Sequence, residues 1–195
     1  SDLGQWSGDV KDSGWAVGIT GLESRRKPRM PVFLLCGPDR TGQMVQEPVF
    51  SDFQLQLDRS YFLGVAFQPA TASHSGTVTF YVKDLANEDE PLLTASVPHP
   101  VTALTPPPGP LYLGASHGGP GSLWDGLIDE VRVTRGFLSE NGIALRQPDM
   151  TARTLACWQF EPGSFRRDAV SGRETIHLPQ QPVTAAPARQ ALTDL

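Results

Sequence analysis

Carboxylates are the first residues here with catalytic potential. Asp129 and Glu130 are adjacent, and Asp125 lies four residues upstream. A retaining glycoside hydrolase needs two carboxyl groups roughly 5 Å apart on one face of a cleft. The spacing does not supply that pair. Neighbours on a strand face opposite ways, and Asp125 and Asp129 would lie about 13 Å apart along a regular strand. Ile128, Val131 and Val133 fall out of strict alternation, which predicts a β-bulge near Asp129. Asp129 therefore reads as a structural carboxylate that accepts from backbone N–H groups at the bulge.

Other residues suit recognition. Arg25, Arg26, Lys27 and Arg29 crowd into five positions. They read as a solvated hairpin loop. The functional alternative is that Arg25, Arg26 and Arg29 contact an acidic glycan or a neighbouring domain. Trp124 follows a glycine-rich stretch that includes His117, and is the best platform for stacking on a ligand. Trp15 and Trp158 sit in alternating apolar segments and read as core. Asn87-Glu88-Asp89-Glu90 has oxygen ligands suited to calcium, yet consecutive acids in a turn are usually only solvated, so no metal is assigned. His74, His99, His117 and His177 show no zinc spacing. Residues 114–121 lack the Gly-Lys-Ser/Thr of a phosphate loop. Cys36 and Cys157 form no CxxC; a buried thiol pair and a disulfide both remain open.

The elements that must position these residues are short strands. Phe53, Leu55 and Leu57 alternate with glutamines, and Val78, Phe80 and Val82 alternate with Thr77, Thr79, Tyr81 and Lys83. This period of two predicts half-buried antiparallel strands. Residues 32–36 and 61–67 are continuous apolar runs, which predict central strands covered on both sides. Residues 15–19, 92–97, 111–115 and 127–133 complete the set. The 19 glycines and 18 prolines punctuate it with turns. At most one short helix is predicted, near 139–145. A chain of 195 residues, 39% hydrophobic, is large enough for one core without staples. A net charge of −5 argues against a dedicated nucleic-acid binder. No apolar run approaches the roughly 20 residues of a membrane span.

Residues 124–145, WDGLIDEVRVTRGFLSENGIAL, resemble the closing strand of laminin-G-like jelly rolls in the concanavalin-A-like lectin and glucanase superfamily. Tyr61-Phe62-Leu63-Gly64-Val65-Ala66 with Val78 to Asp84 looks like that family's central hairpin, and Leu111-Tyr112-Leu113-Gly114 like its penultimate strand. The resemblance covers about residues 14–146. It implies an all-β, two-sheet antiparallel jelly-roll sandwich spanning 1–178, with an extended tail over 179–195. It further implies a non-catalytic recognition module of a larger exported bacterial protein. Its expected place is the periplasm or cell surface, and its expected partners are carbohydrate, a protein surface and neighbouring domains. The alternatives are a divergent β-glucanase and a purely structural accessory domain. No cofactor is implied, and calcium rests on resemblance to some members alone. The glucanase signature Glu-x-Asp-x-x-Glu lacks its first Glu here.

The family's opening motif stands at the far end of this chain, as Trp158-Gln159-Phe160-Glu161-Pro162-Gly163 and then Asp168-Ala169-Val170-Ser171-Gly172. A permuted domain and a fragment cut through one domain both fit that order. The resemblance predicts a strand at 155–161 beside the strand at 127–133, with Trp158 and Phe160 facing the core together.

Overall fold

The computed structural model describes residues 14–22, 24–106, 111–114, 124, 126–136 and 153–176. Within them the chain is all-β, built from β1 (Trp15–Ile19), β2 (Pro31–Pro38), β3 (Met44–Phe50), β4 (Tyr61–Gln68), β5 (Gly76–Asp84), β6 (Leu93–His99), β7 (Val131–Thr134) and β8 (Thr154–Trp158). Every ladder is antiparallel, in three sheets ordered β1-β2-β3, β4-β5-β6 and β7-β8. Each three-stranded sheet is a meander of sequence neighbours. The predicted helix near 139–145, the tail over 179–195 and His117 lie outside the described residues.

The two meanders share one core, which makes the fold β-sandwich-like. Phe33, Leu35 and Val49 of the first sheet cluster with Val78 and Phe80 of the second and with Val101. Leu35, Val78, Phe80 and Val101 have no solvent exposure. Backbone bonds close the seam: Thr102 N donates to Pro38 O (2.8 Å) and Thr105 N to Cys36 O (2.9 Å).

β2 is the fully buried central strand that its apolar run predicts. The second sheet reverses the prediction. β5, read as half wet, is central and buried on both faces, whereas the continuous apolar run of β4 is a half-buried edge. The cause is pairing of polar groups. Thr79 Oγ1 lies 3.1 Å from Ser96 Oγ on β6, so a hydroxyl that looked destined for water is satisfied inside. β3 was not predicted, and it carries Pro48, which would disrupt a central strand. It survives because β3 is an edge strand, where a missing N–H is tolerated.

Other predicted strands are shortened or absent. Phe53 and Leu55 stay half-buried between exposed glutamines, but Leu57 is exposed and the segment forms no ladder; left-handed Asp52 and Asp58 (φ 63° and 58°) break the chain on either side. Residues 111–114 are irregular. β7 starts at Val131 rather than Leu127. Gly126 (φ 151°) and Glu130 (φ 50°) interrupt the extended backbone, leaving Leu127 99% exposed.

β8 pairs with β7 as predicted, Val131 opposite Trp158 and Arg132 opposite Cys157, but in a two-stranded sheet of its own. Trp158 is buried, and its indole N–H donates to Thr175 Oγ1 (2.8 Å). Phe160 does not join it. Phe160 lies beyond the strand end with φ 53° and is half-buried, so the period of two has already been lost.

Asp168, only 4% exposed, pins the following loop to β8. Its Oδ1 accepts from Cys157 N (2.8 Å) and Val170 N (3.1 Å), its Oδ2 from Ser171 N (2.9 Å). Ala169 N then donates to Cys157 O (2.7 Å), extending the pairing by one rung. Burial alone would raise the Asp168 carboxyl. The Ser171 side chain and the Cys157, Ser171 and Val170 N–H groups outweigh it and hold the group at about 2.

Two outcomes follow. Phe80→Ala should cost about 3–5 kcal/mol by denaturant titration, because a filled position in the shared core becomes a cavity. Asp168 is depressed from 3.8 when folded, so its contribution is complete above about pH 4 and lost as pH falls toward 2. Asp168→Asn should therefore lower stability at pH 7 by about 1–2 kcal/mol and flatten the melting profile between pH 4 and 2. An unchanged pH profile would refute the assigned role.

Candidate functional site

The described recognition residues fall on irregular segments that leave the sandwich. Trp124 N donates to Gly114 O (2.9 Å), joining residues 111–114 to the loop ahead of β7. The Ile128 side chain lies close by Gly114: a Cβ added there would sit 3.6 Å from Ile128 Cδ1. Four large apolar residues stand exposed on these segments: Leu111, Tyr112, Trp124 and Leu127. Gly126 leaves room for the indole. Its φ of 151° disfavours other residues, and an added Cβ would lie 3.1 Å from Trp124 Nε1. Trp124 is 41% exposed, which leaves indole surface for a partner. His117 and Asp125 lie outside the described residues.

The basic segment occupies the β1–β2 loop. The Arg26 guanidinium stacks 5.0 Å from the Phe50 ring centroid, and Lys27 Nζ lies 3.9 Å from Asp52 Oδ1. Arg29 is half-buried and does backbone work. It adopts φ 59°, its N–H donates to Thr20 O, and its carbonyl accepts from Leu55 N. The three arginines therefore differ: Arg25 and Arg26 are at the surface, while Arg29 is drawn into the fold.

The acidic residues are arranged differently from a glycosidase pair on one strand. Asp129 Oδ1 accepts from Glu130 N (3.0 Å), one backbone N–H at the irregular entry to β7, and Asp129 is exposed. Partial burial pushes the Glu130 carboxyl up, and the Asp129 and Glu161 carboxylates push the same way. The turn after β5, read for calcium, is filled by a cation of the chain itself. Lys83 Nζ donates to the carbonyls of Asn87 (3.3 Å), Glu88 (3.2 Å) and Glu90. Among the described residues no group of three or more His, Cys, Asp or Glu is placed to hold a metal ion.

Several consequential residues carried no role in the sequence reading. Asp84, buried at the end of β5, is paired with Arg59, which holds its carboxyl low, and it caps Ala86 N (2.9 Å). An Asp two residues before the turn is the available signal. His99 is 3% exposed and stacks on Phe67 with ring centroids 5.1 Å apart. Its Nδ1 accepts from Val101 N (3.1 Å), which places the proton of the neutral ring on Nε2. Burial keeps the imidazole below its ordinary range, against the opposing pull of the Gln68 and Thr77 carbonyls. Cys36 and Cys157 are both buried and form no disulfide. Burial raises the Cys157 thiol, which makes it a poor nucleophile.

No family model, curated protein or solved structure matches the chain. No helix among the described residues is long and apolar enough to cross a membrane.

Asp129→Ala should shift stability by no more than about 0.5 kcal/mol, since the bond it removes is exposed. Thermal melts of that variant beside Asp168→Ala separate the two carboxylates: only the second should fall clearly.

Proposed function

We propose that this chain is a non-catalytic recognition module whose ligand is carbohydrate, bound on the surface around Trp124. The observation that carries the reading is the indole itself. It stands partly exposed, seated against Gly126, with Tyr112, Leu111 and Leu127 exposed on the two bonded segments. An exposed indole offers a flat apolar face to the C–H face of a sugar ring. The finer fold assignment, a laminin-G-like jelly roll, rests on the motif at 124–145 and gains support from the β7–β8 pairing. An extracytoplasmic location and a place beside other domains rest on that resemblance alone. The Arg25 and Arg26 surface would favour acidic over neutral glycans if it borders the bound ligand.

A second reading, glycoside hydrolysis, has one observation in its favour: the raised Glu130 carboxyl with Glu161 close enough to repel it. Release of reducing sugar from a β-glucan, abolished in Glu130→Gln, would establish it against the main reading.

A glycan array probed with and without calcium tests the proposal. Binding should be retained in chelator and lost at least tenfold in Trp124→Ala, with the melting temperature unchanged. Binding only to protein surfaces would redirect the reading. An array signal untouched by Trp124→Ala would remove Trp124 from it.

A further inference from the structure

A shallow, open depression lies at one end of the sandwich, away from the segments that carry Trp124 in the chain. It measures about 330 Å³ and is lined by Asp39, Arg40, Ser75, Pro98, His99 and Pro100. That volume is at the lower end of the ~300–1,000 Å³ range of small-molecule sites. The walls come from both sheets: the β2–β3 turn supplies Asp39 and Arg40, the β4–β5 turn Ser75, and the end of β6 the remainder.

Each wall is held in place. Asp39 Oδ1 takes three bonds, from Thr41 N (2.8 Å), Thr41 Oγ1 (2.7 Å) and Gln43 N (3.0 Å), which fixes the turn and leaves Oδ2 as an acceptor. Arg40 Nη2 reaches across the sheets to Ser75 Oγ (3.2 Å) and has further N–H groups to give. His99 fixes the prolines on either side of it through its stack on Phe67 and its bond from Val101 N. Gly76 next to Ser75 lets that ring approach: a Cβ there would lie 2.3 Å from His99 Cε1 and 2.6 Å from Ala70 N. The seam behind is closed by Thr102 N and Oγ1 on Pro38 O (2.8 and 2.9 Å).

The chemistry of this lining is specific. One carboxylate and one guanidinium bring no net charge, so the cavity favours neither anion nor cation. A carboxylate acceptor, a forked donor and a hydroxyl together match adjacent hydroxyl groups, each of which both donates and accepts. Two pyrrolidine rings supply apolar surface for C–H groups. We infer that this cleft is a binding subsite for one neutral sugar residue, built from Asp39, Arg40 and Ser75 over Pro98 and Pro100. The inference rests on the recognition reading above and adds a site separate in sequence from Trp124.

The test is NMR titration of the full chain with glucose, galactose and mannose, and with glucuronate and glucosamine as charged controls. At least one neutral hexose should shift the amides of Arg40 and Ser75, the charged sugars should shift them less, and Arg40→Met and Ser75→Ala should each weaken binding about tenfold. Both side chains are exposed, so these variants keep the fold. Shifts confined to residues around Trp124 would overturn the subsite while leaving the recognition reading intact. Preference for glucuronate or glucosamine would overturn the neutral-ligand assignment. Silence of every sugar at Arg40 and Ser75 would overturn the subsite, and the glycan array then decides the recognition reading separately.

Discussion

The two meanders depend on one buried cluster shared between β2 and β5. Leu35 and Phe80 both belong to it with no exposure to water, and Phe33, Val49, Val78 and Val101 complete it. Each sheet taken alone would leave an apolar face in water, and three strands with one greasy side are marginal. Facing one another, they remove that surface from water and fix the ends of every hairpin. Several of the polar groups that this burial drags inside are paired: Thr79 with Ser96, Thr20 Oγ1 with Lys27 O (2.7 Å) and Met30 N (2.8 Å), and His99 Nδ1 with Val101 N, while His99 Nε2 and Arg29 Nε are buried without a hydrogen-bond partner.

The C-terminal hairpin obeys a different rule. β7 has only four residues and β8 five, too few for a ladder to hold by itself. Hydrogen bonding to one buried carboxylate makes up the shortfall. Asp168 gathers donors from β8 and from its own turn, and the Trp158–Thr175 bond closes the far side. A carboxylate so used is ionised at any ordinary pH, which makes this hairpin the acid-sensitive part of the described fold.

Much of this was legible in the residues. The apolar run at 32–36 announces a central strand, and the alternation from Val78 to Val82 announces a strand, though not that it is central. The placing of β8 beside β7 came from the likeness of Trp158-Gln159-Phe160 to an opening strand motif, not from periodicity. What could not be read depends on partners distant in sequence. Nothing around Thr79 reveals that Ser96 will meet its hydroxyl, so β5 looked half wet. β3 was missed, and Pro48 within it is tolerated because the strand lies at a sheet edge, which is decided by the whole sheet. Leu127 looked like a strand residue until left-handed backbone at Glu130 cut the strand short. At the candidate site, Trp124 was legible as an exposed aromatic beside glycines. The roles of Lys83 and Asp168 were not, since they consist of bonds to backbone that local sequence does not display.

On the proposed function, a preformed core presents an apolar platform around Trp124, and ligand binding would change the platform without remaking the core. Hydrogen–deuterium exchange of the full chain, with and without the glycan it binds best, addresses that directly. The amides of β2 and β5 should be the slowest in both states and indifferent to ligand, with new protection confined to residues 111–114 and 124–128. New protection across β2 and β5, with none at those two segments, would contradict it.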